Sequence, residues 1–198
     1  MIGCWLMKHI GFPRVLPINY TVSLLYTCNS RCSTCNIWKK KAKNFTVEEY
    51  KKTFQKIGKA PYWITFSGGE PFLRSDIVEV VTTIYNISRP HIMNIPTNGI
   101  LTNVIVDKVA AIAKACPKAQ LVVNISIDGL EEQHDAIRNV PGNYQKAVAT
   151  FHKLKALNLP NLQVGIHTVI SKFNVDNFPA IASGLMQLNP CLLYTSPS

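Results

Sequence analysis

Five times along this chain an apolar run of strand length is followed by a segment whose apolar residues recur at helical spacing. The apolar runs are residues 22–27, 62–66, 91–95, 120–127 and 162–170. Helical spacing follows at 46–58, 75–84, 102–116, 143–154 and 174–188, with a short extra piece at 131–138. Strands that alternate with helices pair in parallel, because a parallel neighbour needs a long crossover. The runs are nearly continuous in Val, Ile and Leu, as expected where both faces of a sheet are covered. Several boundaries carry their own signals. Thr46-Val47-Glu48-Glu49 has the form of a capping box, and Gly58 closes that helix. Thr102 is expected to cap the third helix, and Pro179 fits the first turn of the last one.

The polar residues that break this pattern sit where strands end. Cys28-Asn29-Ser30-Arg31-Cys32-Ser33-Thr34-Cys35 follows the first strand, and Ser67-Gly68-Gly69-Glu70-Pro71 the second. Thr97-Asn98-Gly99 follows the third, and Ser126-Ile127-Asp128-Gly129 the fourth. In parallel α/β barrels that rim holds the active site. The cysteine loop has the spacing C-x3-C-x2-C. Three thiols on one polar loop are badly placed as core residues, and neighbours at i and i+3 rarely form a structural disulfide. A structural zinc takes four ligands, yet no Cys or His follows Cys35 until His91. Ordinary iron–sulfur clusters likewise take four cysteines. A four-iron cluster held by three thiolates leaves one iron open for another ligand.

With 198 residues, 47% of them hydrophobic and 16% charged, the chain can bury a single core. No apolar run is long enough to span a bilayer. Residues 1–19 form an N-terminal extension without the continuous apolar core of a signal peptide. Free thiols without a targeting segment suit a reducing cytoplasm. The formal charge of +10 is concentrated after the cysteine loop, at Lys39-Lys40-Lys41-Ala42-Lys43. Such a run is a solvated face or a patch for an anionic partner. Nucleic acid is the weaker choice, since no aromatic residues interleave the lysines for base stacking.

The triple cysteine, the Gly68-Gly69-Glu70-Pro71 motif one strand later and Ser126-Ile127-Asp128-Gly129 together resemble the radical S-adenosylmethionine (radical SAM) superfamily. Residues 67–76 and 134–142 are similar to its branch containing the molybdenum-cofactor cyclase and the SPASM-type peptide maturases. The resemblance covers roughly residues 19–189 and implies an α/β fold, a partial parallel (βα) barrel with five of six units present. It also implies a [4Fe-4S] cluster on Cys28, Cys32 and Cys35, with S-adenosylmethionine on the open iron. Reductive cleavage would then yield a 5′-deoxyadenosyl radical that takes hydrogen from a substrate, a peptide or a small metabolite. The electron would come from an external flavodoxin- or ferredoxin-like donor.

Within that resemblance Gly68 and Gly69 admit the methionine moiety, and Glu70 accepts from its ammonium group. Ser126 and Asp128 bond the ribose hydroxyls or the methionine end, and Asn98 faces the same rim. Arg138 pairs either with the carboxylate of S-adenosylmethionine or with Glu131 or Asp135 on its own helix. Each motif also has a plain structural use, as a Gly-Pro turn, an Asn-Gly turn or a helix-surface ion pair. The pattern departs from the family at Thr34, where an aromatic residue is usual near the adenine; the contact there would come from backbone alone or from Trp38.

The core is expected over residues 20–190. Residues 191–198 look like the in-frame translation of a transposon-type sequencing adapter, standing where a sixth strand is due. Two other function classes stay open from the residues alone. One is an iron–sulfur electron-transfer protein without S-adenosylmethionine chemistry. The other is a basic nucleic-acid module built on a zinc knuckle.

Overall fold

The computed structural model describes residues 16–197. Six strands form one sheet in sequential order: β1 (Asn19–Ser23), β2 (Trp63–Ser67), β3 (Ile92–Thr97), β4 (Gln120–Ser126), β5 (Leu162–Ile170) and β6 (Leu193–Pro197). All neighbours pair in parallel. The crossovers carry α1 (Val47–Ile57), α2 (Ile77–Ser88), α3 (Thr102–Ala115), α4 (Glu131–Arg138), α5 (Asn143–Ala156) and α6 (Phe178–Met186). Because each crossover advances one strand, every C-terminal strand end lies on the same rim. The sheet is a curled half-barrel of the parallel (βα) type.

The two faces of the sheet differ. On β2 and β3 buried residues alternate with partly exposed ones. Ile64, Phe66, Met93 and Ile95 face the helices, and all four are fully buried. Along β4 nearly every residue is buried. The opposite face carries polar groups: Asn94 Nδ2 donates to Thr65 Oγ1 at 3.5 Å, and Asn124 Nδ2 donates to Asn94 Oδ1 at 2.9 Å. The helices supply the other half of the core with Phe54, Val80, Val81, Val109, Ile112, Phe151 and Leu154. Burying each of the larger ones contributes on the order of 1.5–3 kcal/mol.

The capping box of α1 forms as expected, with Glu49 N donating to Thr46 Oγ1 at 3.2 Å and Thr46 N to Glu49 Oε2 at 2.7 Å. Thr102 does not cap α3. Leu101 holds the cap position, and the Thr102 hydroxyl accepts from Thr150 Oγ1 at 2.8 Å. The first strand also lies earlier than its apolar run, pairing Asn19–Ser23 with Trp63–Ser67. Leu24 and Leu25 then leave the sheet but keep bonding beside β2, through Leu24 N to Ser67 O at 2.8 Å and Gly69 N to Leu25 O at 2.7 Å. Arg74 secures this exit. It grips Asp76 at 2.6 and 3.0 Å and donates to the carbonyls of Leu24 at 2.9 Å and Phe45 at 2.7 Å.

The sixth strand differs from the five-strand expectation. Leu193–Pro197 pairs with Ile166–Ile170 of β5. The open edge of β5 presents unpaired N–H and C=O groups, and Leu193, Tyr194 and Thr195 suit a strand. Leu193 packs against the core, and Ile166 N donates to Leu192 O at 2.8 Å.

Candidate functional site

The rim cavity has a volume of about 390 Å³, within the range of small-ligand sites. Cys28, Cys32 and Cys35 all line it, together with Gly68, Gly69, Ser126 and Arg138. The five cysteines within the described residues are unbridged. Cys32 is buried, whereas Cys28 and Cys35 are half-buried. Burial pushes the thiols of Cys28 and Cys32 up, with the Ser30 N–H and Arg138 respectively pulling back. A bound cation would reverse that balance, since thiolates are the ligating form.

Among the described residues no three Cys, His, Asp or Glu side chains converge on a point where one metal ion would sit. Three thiols lining one cavity are one ligand short of a structural zinc site. A four-iron cluster held by three of them keeps one iron open. The donor set and the cavity beside it therefore fit a [4Fe-4S] cluster with a small molecule alongside.

The glycines have a use that the motif alone does not reveal. A Cβ on Gly69 would stand 2.0 Å from the Thr27 carbonyl oxygen, and one on Gly68 2.3 Å from that of Leu25. Gly68 also has a φ of +131°. Their bareness lets the backbone leading into the cysteine loop lie directly on the β2 loop. They border the cavity as well, so close backbone approach serves both sides.

Glu70 is 1% exposed. Its Oε1 accepts from Phe72 N at 3.2 Å and Thr97 Oγ1 at 2.8 Å, and its Oε2 accepts from Asn98 N at 2.8 Å. Burial raises its pKa, while these donors pull it down. Three of about four lone-pair directions are thus occupied by protein. The carboxylate joins the β2 and β3 loops, a role absent from the sequence expectation.

Asn98 carries the connection onward. Its Nδ2 donates to Asn29 Oδ1 at 2.7 Å and Ser30 Oγ at 3.1 Å, both inside the cysteine loop. Its carbonyl accepts from Asn143 Nδ2 at 3.1 Å. Asn143 Oδ1 meets His134 Nε2 at 3.2 Å, and His134 Nδ1 accepts from Asp128 N at 3.1 Å. This fixes His134 as the neutral Nε2–H tautomer. Burial, and then Arg138, push its pKa down to about 4.

Asp128 differs most from its expectation. It is fully buried and does not line the cavity. Its Oδ1 accepts from Val169 N at 2.9 Å, and its Oδ2 lies 2.8 Å from Arg138 Nε. A carboxylate held beneath the rim cannot reach a ribose, but it can aim the guanidinium above it. Arg138 Nη1 in turn donates to Cys32 Sγ at 3.7 Å. Arg138 therefore pairs with neither Glu131 nor Asp135. Asp135 accepts instead from Gly142 N and Tyr144 N at the start of α5. The polar contacts close a ring from Asn29 and Ser30 through Asn98, Asn143, His134, Asp128 and Arg138 back to Cys32.

Ser126 borders the cavity as expected. Thr34 does too, and its neighbour on the wall is Ile37, not Trp38. Trp38 turns outward, donating from Nε1 to the Cys35 carbonyl at 3.0 Å. His167 projects into the cavity, stacked on Tyr194 and 3.0 Å from Ser196 Oγ. Asn29, Asn143 and His134 had no distinguishing spacing. Their only sequence signals were the place of Asn29 inside the cysteine motif, of His134 in the 134–142 stretch and of Asn143 at a helix start.

A curled parallel sheet with a three-thiol loop over its C-terminal rim defines a cluster-binding half-barrel. Residues 22–183 match the radical SAM superfamily, and the chain belongs to it. Pre-heme d1 synthase of Dinoroseobacter shibae is 30% identical over 164 residues, covering 80% of this chain and 38% of that protein. GTP 3′,8-cyclase of Clostridium botulinum is 33% identical over 164 residues, covering 78% and 48%. In three dimensions the chain resembles Streptococcus suis SuiB bound to S-adenosylmethionine, with a TM-score of 0.74 and 13% identity over 98% of this chain and 43% of that one. The chain spans about two fifths to one half of the length of these relatives. Superfamily members use a [4Fe-4S] cluster and S-adenosylmethionine. Among the described residues no helix is long and apolar enough to cross a membrane.

Proposed function

We propose that this chain is the core of a radical SAM enzyme. Cys28, Cys32 and Cys35 would hold the cluster, and Gly68, Gly69, Ser126 and Arg138, which line the same cavity, would hold S-adenosylmethionine. The observation that carries this reading is the shared cavity, lined by three thiols, a bare glycine edge and a guanidinium. When bound, the pair supplies one-electron reductive cleavage of a carbon–sulfur bond. The chain's own residues do the positioning. Asn98 holds the cysteine loop from one side and Arg138 from the other. Asp128 orients Arg138, and Glu70 ties the glycine edge to β3 while keeping one lone-pair direction for an ammonium group.

The substrate is a peptide or a small metabolite, the electron donor is flavodoxin- or ferredoxin-like, and the compartment is the reducing cytoplasm. Residues 191–198 are proposed as adapter-derived. Anaerobic cluster reconstitution, followed by reductant and S-adenosylmethionine, tests the function in a version extended to the length of the relatives. 5′-Deoxyadenosine is the expected product. Its absence with an intact, reducible cluster overturns the reading.

A further inference from the structure

The outer side of the cysteine loop carries a basic shelf that the cavity does not use. The first 47 residues contain no Asp or Glu. Arg31, Lys39, Lys40, Lys41 and Lys43 are all exposed. None of them forms an ion pair among the described residues. The nearest acids are engaged elsewhere. Glu48 pairs with Lys51 at 3.4 Å, and Glu49 is held chiefly by Thr46, with Lys43 adding a weaker attraction.

Trp38 fastens this shelf to the cluster loop. Besides its bond to the Cys35 carbonyl, its ring has the Arg31 guanidinium 5.6 Å and the Lys39 ammonium 5.0 Å from its centroid. Ile37 N donates to Cys35 Sγ at 3.4 Å. The positive surface thus begins beside a half-buried thiol, that of Cys35, while Cys32 is buried and Ser30 is spent on an internal hydrogen bond. A donor seated on this surface would lie next to Cys35.

We propose that Arg31, Trp38, Lys39, Lys40, Lys41 and Lys43 form the docking surface for an acidic one-electron donor protein. The proposal rests on the radical SAM reading. The donor is oxidised by one electron and the cluster is reduced by one; no bond or proton changes hands. A single-sign patch around the point of entry steers an oppositely charged partner and makes association sensitive to salt. A nucleic acid is disfavoured, because the ring of Trp38 is already taken by two cations and not free to stack on bases.

The test compares the reconstituted 198-residue protein with the K40E/K41E/K43E variant, which leaves Trp38 and its two cations intact. Cluster bleaching is followed by anaerobic stopped flow with reduced flavodoxin, and separately with reduced methyl viologen, a small cation. The flavodoxin rate should fall roughly 10- to 100-fold in the variant, and the wild-type rate should fall with added salt. The methyl viologen rate should not fall. Equal flavodoxin rates in the two proteins overturn the proposal. So does a variant that loses affinity for a labelled single-stranded RNA while its flavodoxin rate is unchanged, which marks a nucleic-acid surface. Loss of rate with both reductants overturns it as well, since the cluster itself is then altered. A wild-type protein that takes up no iron overturns the parent reading, and this proposal with it.

Discussion

The two sides of the cysteine loop are built on opposite principles. The inner side is buried, and its polar groups are linked by a closed ring of hydrogen bonds and one ion pair, Asp128–Arg138, from Asn98 round to Cys32. The outer side is exposed, carries one sign of charge and makes few contacts beyond Trp38. Buried polar groups are costly to leave unpaired, whereas exposed charges contribute little to stability. The inner side should therefore govern whether the loop holds its shape, and the outer side what approaches it.

The largest effect expected is at Asp128. Asp128→Ala leaves the Arg138 guanidinium buried without its partner, at a cost of about 3–5 kcal/mol. Chemical denaturation measures the loss, and iron uptake on reconstitution should fall with it. A stability within 1 kcal/mol of wild type would break the inner-side account.

Next comes pH. His134 titrates at about 4 in the folded protein, against about 6.5 in an unfolded chain. Between these values the unfolded state binds the additional proton. The His134 contribution is complete above about pH 6.5 and is lost on acidification, reaching about 3 kcal/mol near pH 4. Denaturant titrations at falling pH should show this slope in wild type and a shallower one in His134→Asn. Equal slopes would remove His134 from the ring.

A smaller effect is expected at Gly69. Gly69→Ala drives a methyl group into the Thr27 carbonyl, 2.0 Å away, and costs about 1–3 kcal/mol of overpacking. Iron content should drop more than the melting temperature does, because the displaced segment is the one that leads to Cys28. Normal iron content would show that the glycines serve only the bound small molecule. On the outer side, K40E/K41E/K43E should change stability by less than about 0.5 kcal/mol. A larger change in thermal unfolding would mean that the shelf is structural.

The same contrast explains what the sequence disclosed. Strand–helix alternation and the placing of polar motifs at strand ends follow from local patterns, so the half-barrel and its rim were readable. So were the capping box at Thr46 and Glu49 and the convergence of the three cysteines with Gly68 and Gly69. The roles of Glu70, Asp128 and Arg138 were not, because each is set by partners far along the chain. Asn98 bonds Asn29 across 69 positions and Arg138 meets Cys32 across 106. The edge of β1 was misplaced because Leu24 and Leu25 are as apolar as strand residues while serving as the packed floor of the loop. The sixth strand was hidden because residues 191–198 read as adapter-like, although Leu193, Tyr194 and Thr195 suit a strand and pair along β5.

One consequence bears on Glu70→Ala. From the motif alone it would abolish S-adenosylmethionine binding and spare the cluster. In the structure Glu70 also anchors Asn98, which holds Asn29 and Ser30, so this substitution should loosen both sites together.

The most direct measurement is electron paramagnetic resonance of the anaerobically reconstituted, reduced protein, with and without S-adenosylmethionine, alongside metal analysis. The structure predicts about four irons per chain, a reduced-cluster signal, and a changed signal when S-adenosylmethionine is added. Zinc in place of iron, or a cluster signal indifferent to S-adenosylmethionine, would contradict it.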